Sequence, residues 1–161
     1  MEVEMKITRM IPDPMTNMPI VVLQDQTSGI VLPIWIGASE AHAIALEIEK
    51  VTPARPLTHD LLKNLLIGLE TTVRKVVVTE LREDTFFAVI WLERDGQTIS
   101  IDSRPSDALA LALRMDCPIY VDDEVLKNSK VASNANERAT SDEVRKWLEN
   151  LGEDDLGRYK M

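Results

Sequence analysis

Basic residues are outnumbered in this chain of 161 residues, where 18 Lys and Arg stand against 27 Asp and Glu for a formal net charge of −9. That balance argues against loose, charge-driven association with nucleic acid, which needs a basic surface to release counterions. A phosphate-bearing substrate would need a metal ion or a local cluster of arginines. Cysteine is nearly absent. Cys117 stands alone, so no disulfide can form within the chain, and its neighbours Met115 and Pro118 point to a small buried side chain. Long apolar runs are missing too. Met1 to Met10 alternates Val3, Met5 and Ile7 with Glu2, Glu4 and Lys6, unlike a signal peptide, and no later segment approaches membrane-spanning length. A cytoplasmic protein without membrane contact is the expectation. Also lacking are a metal-ligand spacing signature, a nucleotide-binding glycine loop and a serine-nucleophile elbow.

What remains is an ordinary globular composition, 45% hydrophobic and 28% charged, long enough for one domain with a real core. Glu2 to Ile11 alternates like a half-buried strand and ends at Pro12-Asp13-Pro14, and Ile20 to Leu23 and Ile30 to Ile36 are two more strands joined through Asp25 to Gly29. Ser39 reads as the cap of a helix carrying Ala41, Ile44, Ala45 and Ile48 at helical spacing. After a proline-containing connector, Thr58 reads as the cap of a second helix, with Leu61, Leu62, Leu65, Leu66 and Leu69 facing inward and Gly68 at its end. Strands are expected over Val73 to Leu81, Phe86 to Leu92 and Thr98 to Ile101, the last two joined by an Asp95-Gly96 hairpin turn. Arg104-Pro105 then opens an apolar helix, because a proline in the first helical position gives up no hydrogen bond. Pro118 to Val121 returns as a short strand and Asp122 to Lys127 forms a helical turn.

The composition divides the chain into a domain over residues 1–127, a polar linker over 128–139 and a C-terminal segment over 140–161. In that last segment Thr140-Ser141-Asp142-Glu143 is a capping box, and Val144, Trp147, Leu148 and Leu151 form one apolar stripe, which calls for cover from the chain's own core or from a partner.

Sliding the chain so that Gly29 lies on Gly96 also lays Ser39 on Ser106, and Val21 to Leu46 then covers Ala88 to Leu113 without a gap. This is a duplicated strand–turn–strand–helix unit. It separates architecture from chemistry, since residues shared by both copies are explained by the common fold. Ser39-Glu40 matches Ser106-Asp107, so both pairs serve first as helix starts, whereas Asp102 and Arg104 fall on Trp35 and Gly37 and are not demanded by the unit. A carboxylate at a strand end beside a guanidinium at a helix N-terminus suits a metal ion or a phosphate. The alternative is a mutual ion pair that locks the turn. His42 falls on Leu109 and can simply edge a buried helix face, while His59, beside Asp60 in a first helical turn, is placed for acid–base work or ligation.

Three stretches, taken together, resemble the bifunctional nuclease family: Leu32-Pro33-Ile34-Trp35-Ile36-Gly37 with Glu40-Ala41, then Arg55-Pro56-Leu57-Thr58-His59-Asp60-Leu61, then Asp102-Ser103-Arg104-Pro105-Ser106-Asp107-Ala108. The resemblance extends over residues 3 to 127. It implies an α+β fold, a mixed and mainly antiparallel sheet with helices packed on it and an internal duplication. It also implies hydrolysis of phosphodiester bonds in DNA and RNA. On that reading Glu40, Asp102 and Asp107 would hold magnesium or manganese, Arg104 would bind a phosphate and His59 would transfer protons, with Asp102 and Asp107 counted among the catalytic candidates and no organic cofactor expected. The competing expectation is a non-catalytic binding or assembly module, in which the same polar motifs fix turns and a subunit interface. A homo-oligomer is expected, and in this second reading the capped C-terminal helix engages a partner.

Overall fold

A computed structural model describes residues 1–129, so the capping box and apolar stripe expected beyond Thr140 lie outside the described residues. Seven strands and four helices follow in chain order: β1 (Glu2–Pro12), β2 (Pro19–Gln24), β3 (Val31–Trp35), α1 (Ala38–Ile48), α2 (Thr58–Gly68), β4 (Thr72–Arg82), β5 (Thr85–Arg94), β6 (Gln97–Ser103), α3 (Pro105–Met115), β7 (Ile119–Asp122) and α4 (Asp123–Asn128). The strands form a single sheet in the order β3-β2-β1-β7-β4-β5-β6. All pairings are antiparallel except that of β4 with β7, so the fold is α+β with a mixed, mainly antiparallel sheet.

The duplication is visible in this order. Two three-stranded meanders, β1-β2-β3 and β4-β5-β6, flank β7 and each is followed by a helix, α1 or α3. The local signals act as their chemistry demands. Asp95 and Gly96 both take positive φ, 50° and 76°, and close the β5–β6 hairpin, a conformation that glycine adopts without strain. Pro105 occupies the first turn of α3, after Arg104 in extended conformation.

Ile20 to Leu23 and Val31 to Ile34 are buried on both faces of the sheet, and the stretch from Ala108 to Ala112 in α3 is buried all round. α3 packs against β4, β5 and both neighbouring helices, which makes it the pillar of the fold. Trp35, in the first of the three quoted motifs, donates its indole N–H to the buried Asp13 at 2.7 Å and ties β3 to the turn after β1. Asp13 also takes the N–H of Met15 at 2.9 Å. Burial alone would raise its pKa, and these hydrogen bonds hold it below the usual carboxylate value.

Three local readings need correction. Ser39 does not cap α1, because the helix begins one residue earlier, with Gly37 in the cap position. Thr58 is the first residue of α2, not its cap, and the orphan N–H of Leu57 is taken by the Asp60 carboxylate at 2.9 Å. The third concerns the apolar stripe of α2. Leu61, Leu62, Leu65 and Leu69 are 53%, 40%, 51% and 53% exposed, and no residue of α2 is fully buried. The helix rests on α3; Leu66 alone of the five packs against the core as expected, and Leu61, Leu62, Leu65 and Leu66 line an open cavity. At the other end, α4 runs through Asn128 and Ser129 is buried.

Candidate functional site

A cavity of about 1290 Å³ opens between α2 and the β5–β6 face of the sheet. Its walls are aliphatic, with Leu61, Leu65 and Leu66 from α2 facing Ile90, Leu92 and Ile101 from the sheet. Its polar groups come from the starts of three helices: Glu40 and His42 from α1, His59 from α2, and Arg104 and Asp107 from α3, joined by Asp102 on β6 and Arg55 from the connector. Helix N-termini present unpaired N–H groups and the positive ends of their dipoles, and so favour the acids gathered there. The five residues singled out in sequence, Glu40, His59, Asp102, Arg104 and Asp107, therefore line one cavity.

Four of them are bonded to one another. His59 Nε2 lies 2.9 Å from Asp107 Oδ1. Arg104 donates Nε to Asp107 Oδ2 at 3.0 Å, Nη2 to Asp107 Oδ1 at 3.3 Å and Nη1 to Glu40 Oε1 at 3.0 Å. Desolvation would raise the pKa of Asp107, but the hydrogen bonds from Arg104 and His59 outweigh it and hold the carboxyl below its ordinary value. The same bonds, first that to Asp107 and then that to Glu40, raise the pKa of Arg104. With Asp107 ionised, the carboxylate can only accept, so the proton of the contact is carried by His59 Nε2.

Arg104 does not pair with Asp102; its three bonds go to Asp107 and Glu40, and Asp102 is exposed on the edge strand. The guanidinium is also reachable. Its side chain is 54% exposed, and three of its five N–H donors are engaged among the described residues. The same geometry bears on the expected metal set. Glu40 and Asp107 are bridged by a guanidinium, and among the described residues no three His, Cys, Asp or Glu side chains are grouped to hold a metal ion. The three acids share the cavity but are not arranged as one ligand set.

Behind this cluster lies a contact that sequence reading missed. Arg114, in the last turn of α3 with its side chain 2% exposed, donates Nε to Asp60 Oδ1 at 2.8 Å, Nη1 to the Ala110 carbonyl at 2.9 Å and Nη2 to the Ala43 carbonyl at 3.0 Å. One buried fork thus joins α1, α2 and α3. Asp60, which neighbours His59, is held below the usual carboxylate value first by the Leu57 N–H and then by Arg114. Sequence offered one hint, a basic residue in the final turn of an otherwise apolar helix, where the dipole alone explains it. Gly37 supplies room of a different kind, because a Cβ there would collide with the Glu40 carboxylate. Cys117 is half-buried and its thiol is pushed up to about 11 by desolvation, so it is protonated at neutral pH and no nucleophile.

A mixed sheet of two flanking meanders, with an acid–arginine–histidine cluster at the convergence of three helix starts, defines a small α+β domain with one polar site. The sequence profile of the bifunctional nuclease domain matches residues 21–134, and the chain belongs to that family. It is 42% identical over 141 residues to an uncharacterized protein of Mycobacterium tuberculosis, covering 84% of each chain. It is 30% identical over 114 residues to Bifunctional nuclease 1 of Arabidopsis thaliana and 27% identical over 113 residues to Bifunctional nuclease 1 of Oryza sativa subsp. japonica. Those alignments take in 69% and 68% of this chain but only 35% and 34% of the plant proteins, so the match spans about a third of their length. Among the described residues, no helix is long and apolar enough to cross a membrane.

Proposed function

We propose that this protein is a nuclease that hydrolyses phosphodiester bonds of DNA and RNA at the cluster of His59, Arg104, Asp107 and Glu40. The observation that carries the reading is the triad-like order of the contacts: a histidine oriented by an ionised carboxylate that also grips an exposed guanidinium with donors to spare. Family membership supplies the substrate class. In this scheme the free donors of Arg104 bind a non-bridging phosphate oxygen and neutralise charge as it develops. His59, its Nε2–H held by Asp107, takes and returns a proton at Nδ1. Asp107 orients both groups and Glu40 fixes the far side of the guanidinium. Asp102, exposed on the cavity rim, is the carboxylate left over for a water molecule or a cation.

Magnesium or manganese would supply Lewis-acid chemistry in a metal-dependent version of this activity. The acids do not form a ligand set as they stand, since an ion on Glu40 and Asp107 has to displace Arg104, and no step here is routed through one. Assays of purified protein on single-stranded and duplex DNA and RNA, with magnesium or manganese and with a chelator, decide both questions. Cleavage is expected to fall about 100-fold or more in His59→Gln and Arg104→Ala proteins that remain folded. No cleavage where a control nuclease works, or equal cleavage by the variants, defeats the reading.

A further inference from the structure

The two outer strands of the sheet end it in different ways. β3 is buried over its whole length and carries Pro33, which has no N–H to offer a further strand. β6 has neither protection. From Gln97 to Asp102 every residue is exposed, and the strand contains no proline, no lysine and no register shift against β5. Natural sheets blunt such edges because an unprotected row of N–H and C=O groups recruits another strand. The side chains add an apolar reason. Ile99 and Ile101 stand opposite Leu92 and Ile90 in β5, so they share the cavity face of the sheet, yet they remain 37% and 43% exposed.

We propose that β6 is a dimer seam, pairing antiparallel with β6 of a second copy of this chain about a two-fold axis at Ser100. Antiparallel pairing keeps matching faces together only when the paired positions have the same parity, and Ser100 is the midpoint of the strand. In that register Ile99 faces Ile101 of the second copy and the reverse, which makes a four-isoleucine strip continuous with the apolar walls of both cavities. Asp102, the one charged residue of the strand, falls opposite Thr98, and Gln97 falls opposite Ser103, so no like charges meet. The exposed face of α2, with Leu61 and Leu65, borders the same strip and gains cover as the two cavities come together. Residues 130–161 are the rival occupant. The apolar residues there recur at helical spacing, which suits the leucines of α2 but leaves the strand edge unpaired.

Mass measurement by light scattering and sedimentation on the full chain tests this without reference to any nuclease activity. The expected species has twice the chain mass of 18.1 kDa. Ile99→Lys with Ile101→Lys sets cationic side chains against one another at the seam, and should weaken association about 100-fold or more while the circular dichroism of the fold is unchanged. Ser100→Cys should form an intermolecular disulfide under mild oxidation, since facing antiparallel residues lie about 4.5–5.5 Å apart at Cα, within disulfide range. The half-buried Cys117 supplies little background. A monomeric wild-type protein overturns the proposal, and one that also excludes a hydrophobic dye assigns the face to residues 130–161. A dimer that survives both lysines, or that leaves Ser100→Cys uncrosslinked, overturns this seam as well.

Discussion

His59 Nε2 and Asp107 Oδ1 meet at 2.9 Å across 48 positions of sequence, one at the start of α2 and the other at the start of α3. Because Asp107 is held below its ordinary pKa, its contribution to stability is present above the unfolded carboxylate value and is lost as pH falls through the depressed one. Asp107→Asn should therefore cost about 1–3 kcal/mol at neutral pH. The gap to wild type should close progressively in strong acid. Urea unfolding of both proteins across pH checks this, and a gap that does not change with pH contradicts it.

Arg104 is exposed enough that its ion pairs are screened by solvent, so Arg104→Ala should change stability by no more than about 1 kcal/mol. Under the proposed function its effect falls on cleavage. Arg104→Lys keeps the charge but loses the fork that grips Asp107 and Glu40 together, and should recover only a minor part of the activity. Denaturant melts beside initial rates separate the two quantities.

The buried fork of Arg114 behaves oppositely. Arg114→Met removes the side-chain donor shared by Asp60 Oδ1 and the carbonyls of Ala43 and Ala110, and the expected loss is about 1–3 kcal/mol. Hydrogen exchange should show the first turn of α2, around His59, opening before the sheet does. Uniform loss of protection across the fold would contradict a local role for this contact.

Gly37→Ala tests the space that Glu40 occupies. The added methyl displaces the Glu40 carboxylate, the end of a flexible side chain, so the protein should fold with stability within about 1 kcal/mol of wild type. Its cleavage rate should match that of Glu40→Ala, because both remove the same contact with Arg104. A rate equal to wild type would show that Glu40 is dispensable.

Much of this architecture is legible locally. Alternation marks β1, the positive-φ pair Asp95-Gly96 marks the hairpin, Arg104-Pro105 marks the entry to α3, and the repeat anticipates the two meanders about β7. These features depend on neighbours within a few residues, whose steric and hydrogen-bonding preferences act before any tertiary contact forms. The site was legible as a set of residues but not as a set of bonds. Asp102 lies two positions before Arg104 and is the partner that sequence proximity suggests, yet Arg104 turns to Asp107 and to Glu40, 64 positions away.

Local preferences are enough to set which segments become strands and helices and which polar residues crowd the helix starts. Long-range packing alone sets which charges pair, locks Arg114 beneath Asp60, and turns Leu61, Leu62 and Leu65 of α2 toward a cavity instead of the core. One cause underlies all three. Periodicity shows that a helix has an apolar face and composition shows that charges are present, but what covers the face and what answers the charge depend on distances between segments far apart in the chain.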